Sequence, residues 1–260
     1  MGTGKSPGSS GKSAPSNPVP PQITVTVGNT PKNPVALTDQ DATDLRNAQH
    51  DLYDASTAAA VKMYISNTDF DKDGHSLSQT MNYLEANGVD LQTADLAQIN
   101  KQFGLHLSAS DLASMQYTSA YMDRAVHPIG KDVILQRGAH AGQLQRSFGI
   151  TNYSNMTQAQ LQQALVGQEF VTTSYMSTSY DVSKNPFLSS SSGVSGGREV
   201  VYNIKAGANT KMIFGAKAQA EIVLAKGTRF RVTGVQYTGK TATPRGGRPV
   251  PQIQIDIETF

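Results

Sequence analysis

Ala125-Val126-His127-Pro128-Ile129-Gly130-Lys131-Asp132-Val133-Ile134-Leu135-Gln136-Arg137-Gly138 is the stretch on which the fold turns. Upstream of it, apolar residues recur at three- and four-residue steps. Downstream they fall into short runs rich in Val, Ile and Phe. The last helical segment runs from Ser108 to about Val126, and Ser108-x-x-Asp111 marks its start. Pro128 stops it, because a proline forces the residue before it out of the helical region. Five residues later the first strand-like run begins, Val133-Ile134-Leu135.

Working outward, the N-terminal side reads as helix. Thr38-Asp39 starts a pattern that Leu45, Ala48, Leu52, Ala55, Ala59 and Met63 continue. Leu77 to Leu84 follows, ended by Asn87-Gly88, and then Thr93 to Phe103, ended by Gly104. On the C-terminal side the strand candidates are Phe170–Thr173, Val200–Ile204, Glu221–Leu224, Phe230–Val235 and the alternating Ile253, Ile255 and Ile257. One helix interrupts them, from Thr157 to about Val166, with Thr157-x-x-Gln160 as its capping box and Gly167 as its stop. Helices first and strands afterwards predict an α+β domain over residues 36–260, helical over 36–128 and β-rich over 129–260. Residues 1–35 are rich in Gly, Ser and Pro and predict a flexible tail. Ser189–Gly197 reads as a mobile loop and Gly239–Pro251 as a long hairpin excursion.

Composition removes several functions. Lys and Arg number 22 against 20 Asp and Glu, and 16% of residues are charged, which argues against a surface built mainly for polyanions. The 260 residues contain no cysteine, so disulfide and thiolate chemistry are excluded. No apolar run is long enough to span a bilayer. Met1–Gly8 lacks the apolar segment of a secretory signal, so export or injection is expected to use another route, with action in a target cell's cytoplasm.

Three short motifs in a fixed order carry the chemistry. Arg137-Gly138 closes one strand candidate, Ser177-Thr178-Ser179 sits in the middle, and Gln219-Ala220-Glu221 opens the run Ile222-Val223-Leu224. A guanidinium offers paired donors to phosphate oxygens. A carboxylate holds negative charge where positive charge develops on a reacting ribose. Together these motifs resemble the arginine–serine–glutamate class of mono-ADP-ribosyltransferases, of the bacterial exoenzyme toxin type. The resemblance runs over about residues 40–260, since Gln79-Thr80-Met81-Asn82-Tyr83-Leu84 is similar to a helix of those toxins.

The resemblance implies N-terminal helices packed on a mixed two-sheet β core. It implies transfer of ADP-ribose from NAD, with nicotinamide released and no metal. Arg137 and Gly138 would bind NAD, Ser177 would orient Glu221 by a hydrogen bond, and Thr178 and Ser179 would hold the strand edge. Phe187 would pack on the nicotinamide, and Glu221 would steady the ribosyl cation. Gln219 matches members that modify non-arginine acceptors, such as the clostridial exoenzymes that act on an asparagine of Rho GTPases. Some members that modify guanine also carry this glutamine. A protein acceptor is therefore expected, a small GTPase among the candidates, with a nucleic acid base second and the enzyme acting as a monomer. The loop Phe214-Gly215-Ala216-Lys217-Ala218 should face the target, with Phe214 either its exposed aromatic or an inward-facing strand residue. Some relatives carry a second arginine after the serine motif, for which only Lys184 stands close by here. An NAD glycohydrolase, or an inert phage structural protein keeping the fold, is the alternative.

Two other signals are weaker. Asp69-Phe70-Asp71-Lys72-Asp73-Gly74 copies half of a calcium loop but ends on Thr80 where a bidentate glutamate is needed. Gly2-Thr3-Gly4-Lys5-Ser6 lacks the strand that precedes a phosphate loop.

Overall fold

The computed structural model describes residues 30–66, 70–71, 74–184, 198–243 and 248–260. Among them are seven α-helices: α1 (Asp39–His50), α2 (Ala55–Ile65), α3 (Leu77–Ala86), α4 (Leu96–Phe103), α5 (Ala109–Ala125), α6 (Gly142–Phe148) and α7 (Gln158–Leu165). The nine strands are β1 (His127–Pro128), β2 (Val133–Ala139), β3 (Glu169–Val171), β4 (Met176–Ser179), β5 (Val200–Ala206), β6 (Lys211–Phe214), β7 (Glu221–Leu224), β8 (Arg229–Ala242) and β9 (Val250–Thr259). The first five helices precede all strands, as the switch at Pro128 predicts.

Four helices open on a reciprocal capping box, at Thr38/Asp41, Ser76/Gln79, Ser108/Asp111 and Thr157/Gln160. Each cap satisfies amide donors that the first helical turn leaves bare and contributes about 1 kcal/mol. The pattern from Leu45 to Met63 splits into two helices. The Asp54 carboxylate accepts from the Thr57 N–H at 2.7 Å and starts α2, while Leu52 is 64% exposed. Similarly, α4 begins at Leu96 rather than Thr93 because Asp95 caps it.

The strands form one mixed sheet in the order β1-β6-β7-β4-β2-β5-β9-β8-β3. The two sheets expected are therefore two blocks of one sheet, and a single registered pair, Gln136↔Ser179, joins them. All of β2 pairs with β5, and all of β4 pairs with β7. The seam between β2 and β4 thus runs beside Arg137 on one strand and Ser177 on the other. Lys32 to Val35, placed in the tail by composition, are tied to this block. Val35 bridges Val133 in parallel, and the Lys32 and Asn33 N–H groups bond the Asp132 carboxylate at 2.6 and 3.1 Å. Residues 1–29 and the Ser189–Gly197 loop lie outside the described residues. Within the 239–251 excursion β8 reaches Ala242 and β9 starts at Val250, and residues 244–247 lie outside the described residues.

Two apolar cores flank the sheet. Leu135, Ile204, Phe230, Ile255 and Ile257 build one with Leu161 and Leu165 of α7. Met81, Leu84, Met115 and Met122 build the other among the helices. Strand β7 serves both, with Ile222 and Leu224 in the first and Val223 in the second. Burial on both faces explains why Ile222-Val223-Leu224 is continuously apolar.

An ion cluster lies under the helical core. Lys226 Nζ stands 3.3 Å from Glu85 and 3.0 Å from Asp123, whose carboxylate accepts from Tyr175 Oη at 2.5 Å. Burial raises the Glu85 pKa despite Lys226, so its ionised form weakens the fold, and stability falls as pH climbs through that raised value. Burial alone would lower Lys226, but Glu85 and Asp123 reverse that and leave it raised. Lys226→Met therefore costs about 3–5 kcal/mol near neutral pH, by leaving the buried Glu85 carboxylate without its counter-charge, while Asp123 is half-exposed. Urea midpoints at pH 5 and pH 7.5 check this. The gap from wild type is expected to narrow at pH 5, where more of Glu85 is protonated, and an equal gap at both values refutes it.

No helix among the described residues is long and apolar enough to cross a membrane.

Candidate active site

Arg137, Gly138, Ser177, Thr178, Ser179, Gln219 and Glu221 all line one cleft of about 560 Å³. Residues far apart in sequence meet because β4 lies between β2 and β7 in the sheet. The opposite wall comes from the start of α3, with Ser76, Ser78, Gln79 and Asn82. Arg198, two residues before β5, also lines the cleft.

Arg137 Nη1 donates to the Ser177 carbonyl at 2.6 Å, which locks the guanidinium across the seam. Its Nε is enclosed and has no partner. Burial pulls the Arg137 pKa below the usual guanidinium value, while Tyr202, Tyr64 and Glu221 push the other way. A guanidinium stays protonated at neutral pH even so. Across the cleft, Asn82 Nδ2 donates to Tyr64 Oη at 2.8 Å, and Asn82 Oδ1 is buried without a partner. A buried donor and a buried acceptor, both unsatisfied and both in one cleft, are groups that a polar ligand would pair.

Arg198 lines the cleft, and Lys184, the sequence candidate, is not among its lining residues. Lys184 Nζ is held by Asp39 at 2.6 Å and by Asp181 at 3.4 Å. Arg198 instead meets His140 Nε2, and His140 Nδ1 lies 3.0 Å from the Glu199 carboxylate. Burial lowers the Arg198 pKa and Glu199 raises it. The residue escapes a reading confined to the neighbourhood of Ser177, yet a basic residue two positions before the Val200 strand is a signal that could have found it.

Two residues of the serine motif bond the neighbouring strand and the turn that leads into it. Thr178 Oγ1 donates to the Ile222 carbonyl at 2.7 Å, and Ser179 Oγ to the Gln219 carbonyl at 3.0 Å, so both hold β7. Ser177 stands opposite Val223 and is a diagonal neighbour of Glu221, but among the described residues' hydrogen bonds none joins the two side chains. The Glu221 carboxylate turns away to accept from the Ala216 N–H at 2.9 Å. Gln219 ends a short 3-10 turn, Lys217–Gln219, and its side-chain amide makes no hydrogen bond among the described residues. Ala220 follows with φ 47°, a strained left-handed conformation that turns the chain into β7.

Phe214 faces inward. It is 1% exposed, pairs with Ile222 across β6–β7, and lies under the Arg46 guanidinium at 5.6 Å. Of its two readings, the inward-facing strand residue is the one found. Phe187 lies outside the described residues. In the half calcium loop, the Asp71 carboxylate bonds the His75 backbone at 2.9 Å, the His75 ring at 3.0 Å and Thr80 Oγ1 at 3.2 Å. Among the described residues no group of three or more His, Cys, Asp or Glu could hold a metal.

Comparison with known proteins identifies the family and the fold. Residues 73–245 match the model of the ADP-ribosyltransferase exoenzyme family. The fold is similar to that of an ADP-ribosyltransferase from Clostridium botulinum (17% identity, 88% of this chain and 100% of that one, TM-score 0.52). It is similar to the Clostridium limosum C3 exoenzyme (18% identity, 88% and 98%, TM-score 0.53). A protein from S. aureus, solved with NAD, is a further match (17% identity, 89% and 99%, TM-score 0.50). No curated protein matches the chain in sequence. With the family model covering most of the domain, the chain belongs to the ADP-ribosyltransferase exoenzyme family, and it is a mono-ADP-ribosyltransferase that takes ADP-ribose from NAD.

Proposed function

We propose that this enzyme transfers ADP-ribose to a side chain other than arginine, with a protein asparagine as the acceptor and a small GTPase as the class of target. The observation that carries this reading is Gln219, which lines the cleft two residues before Glu221 with its amide free of hydrogen bonds among the described residues. A guanidinium is protonated and a poor nucleophile, so an arginine acceptor needs a carboxylate base near it. A glutamine cannot supply one. Its amide has both donors and acceptors and pairs well with another amide.

In this reading Arg137 and Arg198 clasp the pyrophosphate, and the Gly138 backbone leaves room for the carboxamide, with Phe187 against the nicotinamide ring. Ser177, Thr178 and Ser179 keep β4 and β7 in register around the ribose. Nicotinamide leaves with the bonding electrons, and the Glu221 carboxylate steadies the ribosyl cation until the acceptor nitrogen attacks and loses a proton. The protein is an exported toxin acting in the cytoplasm of a target cell, a reading supported by its exoenzyme family.

Incubation with NAD and a cell lysate, followed by mass spectrometry of the modified residue, tests the acceptor. ADP-ribose on asparagine is expected. An arginine linkage contradicts the argument from Gln219, and a guanine linkage moves the acceptor to nucleic acid. Nicotinamide release without attached ADP-ribose would make the enzyme a glycohydrolase.

A further inference from the structure

Gly215 is a glycine whose reason is not its backbone. It is absent from the glycines with positive φ, so an L-residue could adopt its conformation. What forbids a side chain is Glu221. A Cβ built on Gly215 would lie 2.2 Å from Glu221 Oε2, 2.7 Å from its Cδ and 2.8 Å from its Cγ. The carboxylate therefore occupies the space of the missing side chain. Next in the chain, the Ala216 N–H donates to the same Oε2 at 2.9 Å.

The loop cannot relax by opening. The Gly215 N–H donates to the Glu221 carbonyl at 2.9 Å, and the Glu221 N–H to the Ala216 carbonyl at 3.1 Å. Arg46 Nη2 reaches the Gly215 carbonyl at 3.4 Å, and Ser179 Oγ ties the Gln219 carbonyl from the neighbouring strand. With the backbone bonded on both sides, an added methyl must push the carboxylate, which sits at the flexible end of its side chain.

We propose that Gly215 and Ala216 are positioning residues for the reaction, a notch and an amide that together set where the Glu221 carboxylate stands. The proposal rests on the reading of Glu221 as the group that steadies the ribosyl cation. Neither residue touches the dinucleotide in this scheme; they act through Glu221. Preorganised charge loses much of its value when displaced, and a shift of about 1 Å can cost about a hundred-fold in rate.

Two variants of the full chain test it. Gly215→Ala fills the notch. Ala216→Pro removes the N–H while keeping φ, because Ala216 already sits at −63°. Each is expected to lower kcat for nicotinamide release from NAD by about a hundred-fold, with KM and the calorimetric NAD affinity changed by less than about threefold. Parent kcat in both variants overturns the proposal. So does a rise in KM at unchanged kcat, which would mean that the loop shapes the NAD site directly. A crystal structure of Gly215→Ala tests the geometry even if the parent protein consumes no NAD, an outcome that would sink the reading of Glu221 separately. The carboxylate is expected off the Ala216 N–H. Finding it unmoved, or finding that the variant does not fold, overturns the proposal.

Discussion

Glu221→Gln lowers ADP-ribose transfer by about 10²–10³-fold while leaving NAD affinity within about threefold of the parent. The substitution keeps the size of the side chain and its capacity to accept from the Ala216 N–H, so the loop between β6 and β7 keeps its shape. What it removes is the full negative charge. In the ground state the nicotinamide ribose is uncharged, and the carboxylate contributes little to binding. Charge develops only as the glycosidic bond breaks, which is where the loss is felt. Nicotinamide release followed by absorbance, with calorimetry for binding, separates the two effects. Equal losses in kcat/KM and affinity would assign Glu221 to binding instead.

Arg137→Lys raises the NAD dissociation constant by about 30- to 150-fold, the equivalent of about 2–3 kcal/mol of charge-assisted hydrogen bonding. Charge is conserved, so a simple Coulombic role would predict almost no change. Arg137 instead spans the seam, with Nη1 committed to the Ser177 carbonyl at 2.6 Å and Nε enclosed without a partner. A lysine gathers its donors on one nitrogen and lacks the planar fork whose separate nitrogens reach the Ser177 carbonyl and a phosphate from opposite sides. Calorimetric titration with NAD checks this, and an unchanged affinity refutes the clasping role.

Much of this is legible in the sequence, and the reasons are local. Proline after His127, the capping boxes at Ser108 and Thr157 and the alternation of Ile253, Ile255 and Ile257 each determine a structure within a few residues. The site motifs are readable because their order places them at strand edges, and β4 between β2 and β7 brings them to one cleft. What escapes the sequence depends on long-range geometry. Strand β6 is only four residues long, and it buries Phe214 by pairing it with Ile222, which nothing near Phe214 announces. Arg198 joins the cleft only because β5 pairs with β2 along its whole length. The turn of Glu221 away from Ser177 depends on the absence of a side chain at Gly215, on the far side of the loop. Lys184 is not among the residues lining the cleft for a similar reason, since Asp39, from the first helix, holds it.

A crystal structure of the protein with NAD bound tests the central claim most directly. The account predicts the pyrophosphate against the guanidinium groups of Arg137 and Arg198, and a hydroxyl of the nicotinamide ribose within hydrogen-bonding distance of Glu221. A dinucleotide bound elsewhere, or with its nicotinamide ribose turned away from Glu221, would contradict it.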